Sequence, residues 1–299
     1  MDGFINLLKP PGMSSNDAVG FARRLLPRGT RVGHGGTLDP DAAGVLPVCV
    51  GKAARLFDYI IDKKKTYVAG LCLGVETDTQ DAGGHILARR DASAVTEADI
   101  RAVLPRFTGD IDQIPPAYSA IKRDGRRMYD LARRGEAVEL EPRRVTVHSI
   151  DCLQKTGPAA YMLRVACGKG VYIRTLCHDI GRMLGVGGHM SFLLRTEAGC
   201  FRAEDASTLE ELQSAAQTGR LESLLYPMDA PLSAYPAVRL DERHMTPVSN
   251  GCAIPPEWHG QAFAMGDIAR IYVADTFAGM AQADGEENLR FRAMLMEKN

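Results

Sequence analysis

The sequence predicts an α+β fold, a large sheet domain flanked by helices, followed by a small β-rich C-terminal module. Two observations carry this reading. Up to Cys167, short apolar runs alternate with polar turns, and only a few segments between them keep helical spacing. Near Asp229 the texture changes to DAPLSAYP, a proline-punctuated linker, and three short apolar runs follow it. Repeated βαβ units are not apparent, so a doubly wound parallel sheet is not expected, and the chain holds no internal repeat.

The elements follow in order. Phe4 to Leu8 reads as a strand stopped by Lys9-Pro10-Pro11-Gly12. Ser14 and Ser15 can cap a helix whose apolar positions are Val19, Ala22, Leu25 and Leu26. A glycine-rich loop, HGGTLDP, leads into a buried strand at Val45 to Val50 that is interrupted by Pro47. Lys65 to Gly74 is a strand, separated by the turn ETDTQDAGG from an expected partner at His85 to Ala88. Thr96 to Leu104 resembles a capped helix with Glu97 and Asp99 in its first turn. Arg144 to Leu153 and Tyr161 to Cys167 read as strands. Val171 to Arg174 continues that pattern, with Tyr172 and Arg174 on one face, before Thr175 caps a helix. Its apolar stripe is Leu176, Ile180, Met183 and Leu184, ended by Gly185. Ile268 to Ala274, Phe277 to Gln282 and Leu289 to Met296 are the short strands of the tail.

Bulk properties exclude several classes. The 299 residues are 45% hydrophobic and 24% charged, ordinary for a globular chain. The N-terminus lacks a basic region followed by an apolar core, and no run approaches a membrane span, so a cytoplasmic protein is expected. The 7 cysteines are scattered without a CxxC pair, and no histidine cluster has ligand spacing, so neither a disulfide framework nor a metal site is expected. Walker and GxGxxG loops are missing, which leaves a site built without cofactors. The net charge of −1 hides an uneven distribution: residues 101–200 carry 16 basic and 10 acidic side chains, and residues 201–299 carry 8 and 15. A basic middle and an acidic tail suit a protein whose central third faces a polyanion.

Three pieces hold candidate chemistry. The first is Asp39, which Pro40 biases toward an extended conformation in the glycine loop, so that it sits rigidly at a sheet edge. The second is the pair Tyr172 and Arg174, delivered toward a helix N-terminus that suits an anionic partner. The third runs from Pro115 to Val145, with eight basic residues interleaved with Tyr118 and Tyr129. Paired arginines beside aromatics suit phosphate contact and base stacking. A solvated helical hairpin remains the alternative for that stretch, as an Asx turn does for an isolated TLDP.

In this order the pieces resemble one family. The segments NLLKPPGMSSNDAV, GHGGTLDPDAAGVLPVCVGKA, KTYVAGLCLGVETDTQDAGG, IPPAYSAIKRDGRRMYDLARRGE and GKGVYIRTLCHDIG are similar to those of TruB-type tRNA pseudouridine synthases, over residues 4 to 200. The resemblance implies a pseudouridine synthase fold with a large mixed, mostly antiparallel sheet. It implies a catalytic domain over residues 1–230, an RNA-gripping arm at about 118–145, and a PUA-like module over 231–299. It also implies conversion of uridine to pseudouridine at position 55 in the T-loop of tRNA, by a cofactor-free monomer with no obligatory protein partner. By motif, Asp39 would be the catalytic aspartate, Arg174 its ion-pair partner, and Tyr67 the ring stacked on the target base. His34, Tyr172 and Leu193 would bind the displaced nucleotide, and Lys122, Arg126, Arg127, Arg133 and Arg134 the tRNA backbone. Gly35, Asp41 and Ala43 depart from the family pattern, as does Leu194 ahead of Arg195.

The chemistry wants such residues. Pseudouridine formation breaks the N1–C1′ bond, turns the uracil and joins C5 to C1′, with no net electron, phosphate or water. The base must leave its stack, which demands a pocket and a filler for the vacated space. An ionised Asp39 could attack C1′, attack C6, or remove the C2′ proton, and a guanidinium beside it favours the ionised form. Two other classes stay open: a hydrolase using Asp39 and Asp41 as paired carboxylates, and a binding protein without chemistry.

Overall fold

The computed structural model describes residues 1–61, 63–116, 122–123, 126–127 and 141–297, the two short pairs by their backbone alone. In chain order the first strands are β1 (Gly3–Lys9), β2 (Val32–His34), β3 (Ala43–Val50), β4 (Lys65–Leu73), β5 (Val75–Thr77) and β6 (Ile86–Arg89). They are followed by β7 (Gly109–Gln113), β8 (Lys122–Arg123), β9 (Arg126–Arg127), β10 (Arg143–Gly157), β11 (Ala160–Cys167) and β12 (Gly188–Ala198). The last are β13 (Phe201–Arg202), β14 (Leu225–Tyr226), β15 (Ala237–Leu240), β16 (Ile268–Val273), β17 (Thr276–Ala283) and β18 (Leu289–Met294).

Ten strands form the main sheet, in the order β14-β1-β3-β12-β4-β11-β10-β7, with β2 paired to β3 and β13 to β12. All its ladders are antiparallel except β3 with β12, which gives the mixed, mostly antiparallel sheet expected. The parallel join is short, Leu194 opposite Ala43 and Arg195 opposite Gly44. Gly44 makes it possible. Its φ is +115°, and a Cβ there would lie 2.2 Å from the Arg195 carbonyl oxygen, so no other residue fits.

Pro47 does not break β3. On that edge β3 changes partner, from β12 at Gly44 to β2 at Val48, and in the interval the Pro47 carbonyl accepts from Gly35 N–H at 2.7 Å. The position needs an acceptor, not the N–H that proline lacks. Gly74, at φ +86°, ends β4, and the His85–Ala88 region pairs with β5 instead of β4. The neighbours of β4 are β12 and β11, which come more than 80 residues later and which no local turn signal announces.

Helix Ser15–Leu25 begins on a capping box in which Ser14 and Asp17 exchange bonds, and it buries Ala18, Val19 and Ala22. Helix Glu97–Val103 repeats the device with Thr96 and Asp99. Helix Ile173–Met183 starts three residues earlier than its sequence suggests, so Arg174 lies in its first turn and not on a strand. The reason is a side chain that substitutes for strand pairing. Buried Gln113 accepts from Tyr172 N–H at 2.7 Å and donates to Tyr172 C=O at 3.0 Å, fixing Tyr172 as the extended N-cap residue. The buried face of this helix is Ile173, Leu176, Cys177 and Ile180, whereas Met183 is exposed. Leu71, Leu163, Val165 and Ile180 meet in the core beneath it, each fully buried and each contributing about 1.5–3 kcal/mol by transfer from water.

A second sheet, β15-β16-β17-β18, closes the chain around its own core of Val238, Leu240, Ile254, Ile271 and Leu289. It is joined firmly to the first: Met280, Ala293 and Leu295 share a cluster with Phe4, Val45, Leu56 and Phe201. The proline-punctuated segment between them is packed as well. Leu232 is fully buried in that cluster, and the Asp229 carboxylate accepts from the Tyr272 hydroxyl at 2.6 Å. Among the described residues, no helix is long and apolar enough to cross a membrane.

Candidate active site

The loop from Gly36 to Pro40 is held by groups drawn from the length of the chain. The Ser15 hydroxyl accepts from Leu38 N–H at 2.8 Å and donates to Leu38 C=O at 3.0 Å, like a one-residue strand. Lys9 is fully buried, and its ammonium donates to the carbonyls of Pro10, Met13 and Pro40 at 2.9, 2.7 and 3.0 Å. Arg195, 1% exposed, donates from Nε to Val45 C=O at 2.7 Å and from its terminal nitrogens to Gly36 C=O at 3.0 Å and Thr37 C=O at 3.3 Å. Burial brings the Lys9 pKa down to about 8, against the pull of Asp41 and Asp39.

Asp39 emerges from this frame at the edge of a cavity of about 540 Å³. Arg174 meets it side-on. One terminal nitrogen of the guanidinium donates to Oδ1 at 3.3 Å, and Nε lies 3.1 Å from Oδ2 as an ion-pair contact. The other terminal nitrogen reaches Asp81 Oδ2 at 3.5 Å, so a single arginine bridges two carboxylates. Asp81 is fixed in turn, accepting from the Thr79 hydroxyl at 2.6 Å and from Gly83 N–H at 3.1 Å. Gln80 beside it has φ +64° and accepts from the Thr175 hydroxyl at 2.6 Å, which ties this turn to the same helix end.

Burial pushes the Asp39 carboxyl above the usual carboxylate range; Arg174 opposes the rise and the Asp81 charge adds to it. Tyr67, 8% exposed on β4, faces Arg195 across the ladder, and burial raises its hydroxyl pKa, which keeps it protonated. The His34 imidazole is held neutral, first by burial and then by the Arg195 charge, and its Nδ1 is buried with no hydrogen-bond partner among the described residues.

Five of the expected residues, Asp39, Tyr67, Tyr172, Arg174 and Leu193, line this one cavity. His34 is not among the lining residues and sits at the end of β2. Arg133 and Arg134, like Tyr118 and Tyr129, lie outside the described residues, as do the side chains of Lys122, Arg126 and Arg127. The backbone of the latter three, with Arg123, forms a two-residue ladder, Lys122 opposite Arg127 and Arg123 opposite Arg126. Among the described lining residues, six are Lys or Arg and Asp39 is the one carboxylate. No group of His, Cys, Asp or Glu among the described residues could hold a metal ion.

Sequence reasoning missed Lys9, Asp81, Gln113 and Arg195. A charge closing an apolar run was the usable signal for Lys9 and Arg195, which end FINLL and FLL on strands of the main sheet. Asp81 carried no such signal, since TDTQDAGG reads as an ordinary polar turn.

Comparison with known proteins agrees with this geometry. Residues 23–173 match the TruB family pseudouridylate synthase (N terminal domain), and residues 174–233 match the tRNA pseudouridylate synthase B C-terminal domain. The chain is 50% identical over 256 residues to tRNA pseudouridine synthase B of Symbiobacterium thermophilum, covering 85% of this chain and 83% of that one. It is 40% identical over 304 aligned positions to the protein of that name from Alkaliphilus oremlandii, covering 100% of both. Among solved structures it is similar to a chain of a Cbf5-Nop10-Gar1 complex, with TM-score 0.73, 30% identity and coverage of 99% and 84%. A chain of an H/ACA RNP bound to a substrate RNA containing 2'-deoxyuridine gives TM-score 0.75 at 27% identity, with coverage of 98% and 85%. Matched along most of its length by family, relatives and fold, the chain belongs to the TruB family of pseudouridylate synthases.

Proposed function

We propose that this enzyme isomerises uridine to pseudouridine at position 55 in the T-loop of tRNA, with Asp39 as its single catalytic carboxylate and the target nucleotide flipped into the cavity. The observation that carries the reading is that, among the described lining residues, one carboxylate stands with six cationic side chains. Such a cavity admits a polyanion and offers it one reactive group. Tyr67, Tyr172 and Leu193 supply apolar and aromatic wall for a turned-out base, and His34, neutral at the end of β2, suits the space the base vacates.

In this reading the reaction consumes nothing. Asp39 acts ionised, by attack at C1′ or C6 or by taking the C2′ proton. The N1–C1′ bond breaks, the uracil rotates and C5 joins C1′. The C5 proton is then released and N1 gains one. Arg174 keeps the carboxylate charged and oriented through the sequence, and its planar fork suits that task better than a point charge.

The remaining assignments belong to the same proposal. Residues 1–230 form the catalytic domain and 231–299 a PUA-like module. Residues 118–145 grip the T-arm, with Lys122, Arg126, Arg127, Arg133 and Arg134 on phosphates. The enzyme works in the cytoplasm as a monomer without a protein partner. The test is tritium release to water from C5-tritiated tRNA transcript. Release is expected from the wild-type transcript and not from one with cytidine at position 55. Equal release from both would place the target elsewhere.

A further inference from the structure

A second cavity, of about 530 Å³, lies apart from Asp39 and is lined by Arg23, Arg24, Arg28 and Arg31 with Val32. The segment that builds it, RRLLPRGTR, has four positive charges in nine residues and no acidic one. All four arginines are exposed. Arg23 donates to Val32 C=O at 3.1 Å, and Arg24 lies 5.7 Å from the centre of the Phe21 ring. Arg28 and Arg31 have no ion pair and no side-chain hydrogen bond among the described residues. Complementing the C-terminal dipole of helix Ser15–Leu25 accounts for Arg23 and Arg24, but Arg28 and Arg31 lie beyond the helix end.

The backbone that carries them is set in advance. Thr30 bonds Pro27 C=O with both its N–H, at 3.1 Å, and its hydroxyl, at 2.7 Å, and Gly29 takes φ +87° at the tip. Strand β2 begins at this cavity, which Val32 lines, and ends at His34, two residues before Gly36, which lines the other.

We propose that this arginine-lined cavity is a second RNA-binding site, which takes the sugar–phosphate backbone of the substrate strand beyond the nucleotide held at Asp39. That the RNA is tRNA rests on the function proposed above. Guanidinium forks suit phosphate oxygens, and four of them with no aromatic lining position a backbone without reading its sequence.

The test measures tRNA affinity at several salt concentrations for wild type, for Arg28→Gln/Arg31→Gln, and for Arg106→Gln/Arg164→Gln, two exposed arginines outside both cavities. Loss of two phosphate contacts is expected to weaken binding ~10-fold at low salt and to flatten the log–log salt slope by about 1.5. The control pair should change both by much less. An unchanged slope and affinity, or an equal loss in the control, overturns the site. So does displacement of tRNA by micromolar ATP at constant ionic strength, which would make the cavity a free-nucleotide site. Tritium release by wild type keeps the two proposals separable. No release with a flattened slope defeats the function and leaves the RNA site standing; release with an unchanged slope defeats the site alone.

Discussion

Arg174 and Arg195 line the same cavity, both almost fully buried, and they do different things. Arg174 spends its donors on carboxylates, Asp39 and Asp81, whose charge can change with protonation. Arg195 spends its donors on the main-chain carbonyls of Gly36, Thr37 and Val45, which cannot titrate. One arginine sets the electrostatics of Asp39 and the other holds the loop that carries it. A buried guanidinium is therefore no guide to its role until its acceptors are known.

The sharpest break of this comparison is Asp39→Asn, expected to cut the single-turnover rate by at least ~10³-fold. The same variant should melt no lower than wild type at pH 7. The folded-state pKa of Asp39 is raised, so folding favours its protonated form, and stability falls as pH rises from the unfolded pKa through the folded one. Asparagine carries no such cost. A clear drop in melting temperature would make Asp39 a structural residue.

Arg195→Met should act next most strongly, and mainly on stability. It leaves three carbonyls without donors, for a loss of about 3–5 kcal/mol in urea unfolding. If stability is kept and only the rate falls, Arg195 belongs with the chemistry and the contrast of the two arginines fails.

Arg174→Lys keeps the charge and loses the fork, so the rate should fall by roughly 10–100-fold with little change in melting temperature. Asp81→Asn sharpens the same side of the contrast through pH. The Asp81 charge raises the Asp39 pKa, so removing it should move the acid limb of the kcat/KM profile to lower pH. A shift to higher pH would show that Asp81 matters more as an anchor for Arg174 than as a like charge. The smallest effect is expected from Tyr67→Phe, below ~10-fold in rate, because a phenyl ring keeps the stacking face and loses only the hydroxyl that faces Arg195.

Much of this was legible in the sequence, and the reasons for the rest are physical. Helices Ser15–Leu25 and Glu97–Val103 were readable because a capping box is a local pattern of side chains. The start of helix Ile173–Met183 was not, because its N-cap residue is fixed by Gln113, 59 residues away. The strand reading of Lys65 to Gly74 held while its expected partner did not, since register with β12 is a long-range choice. Asp39 and Arg174 were marked by the motifs around them. Asp81, which shares their ion pair, was hidden in an ordinary polar turn.

The frame around Asp39 also has a consequence for synthesis. Lys9 and Ser15 precede the loop in the chain, but Arg195 bonds Gly36 across 159 residues. At ~5–20 residues per second, the ribosome delivers that arginine roughly 8–30 s after the loop it holds. Until then the nascent protein carries its aspartate without the arginine that holds its loop. The loop cannot reach its working geometry before Arg195 has left the ribosome, by which point most of the main sheet has been made.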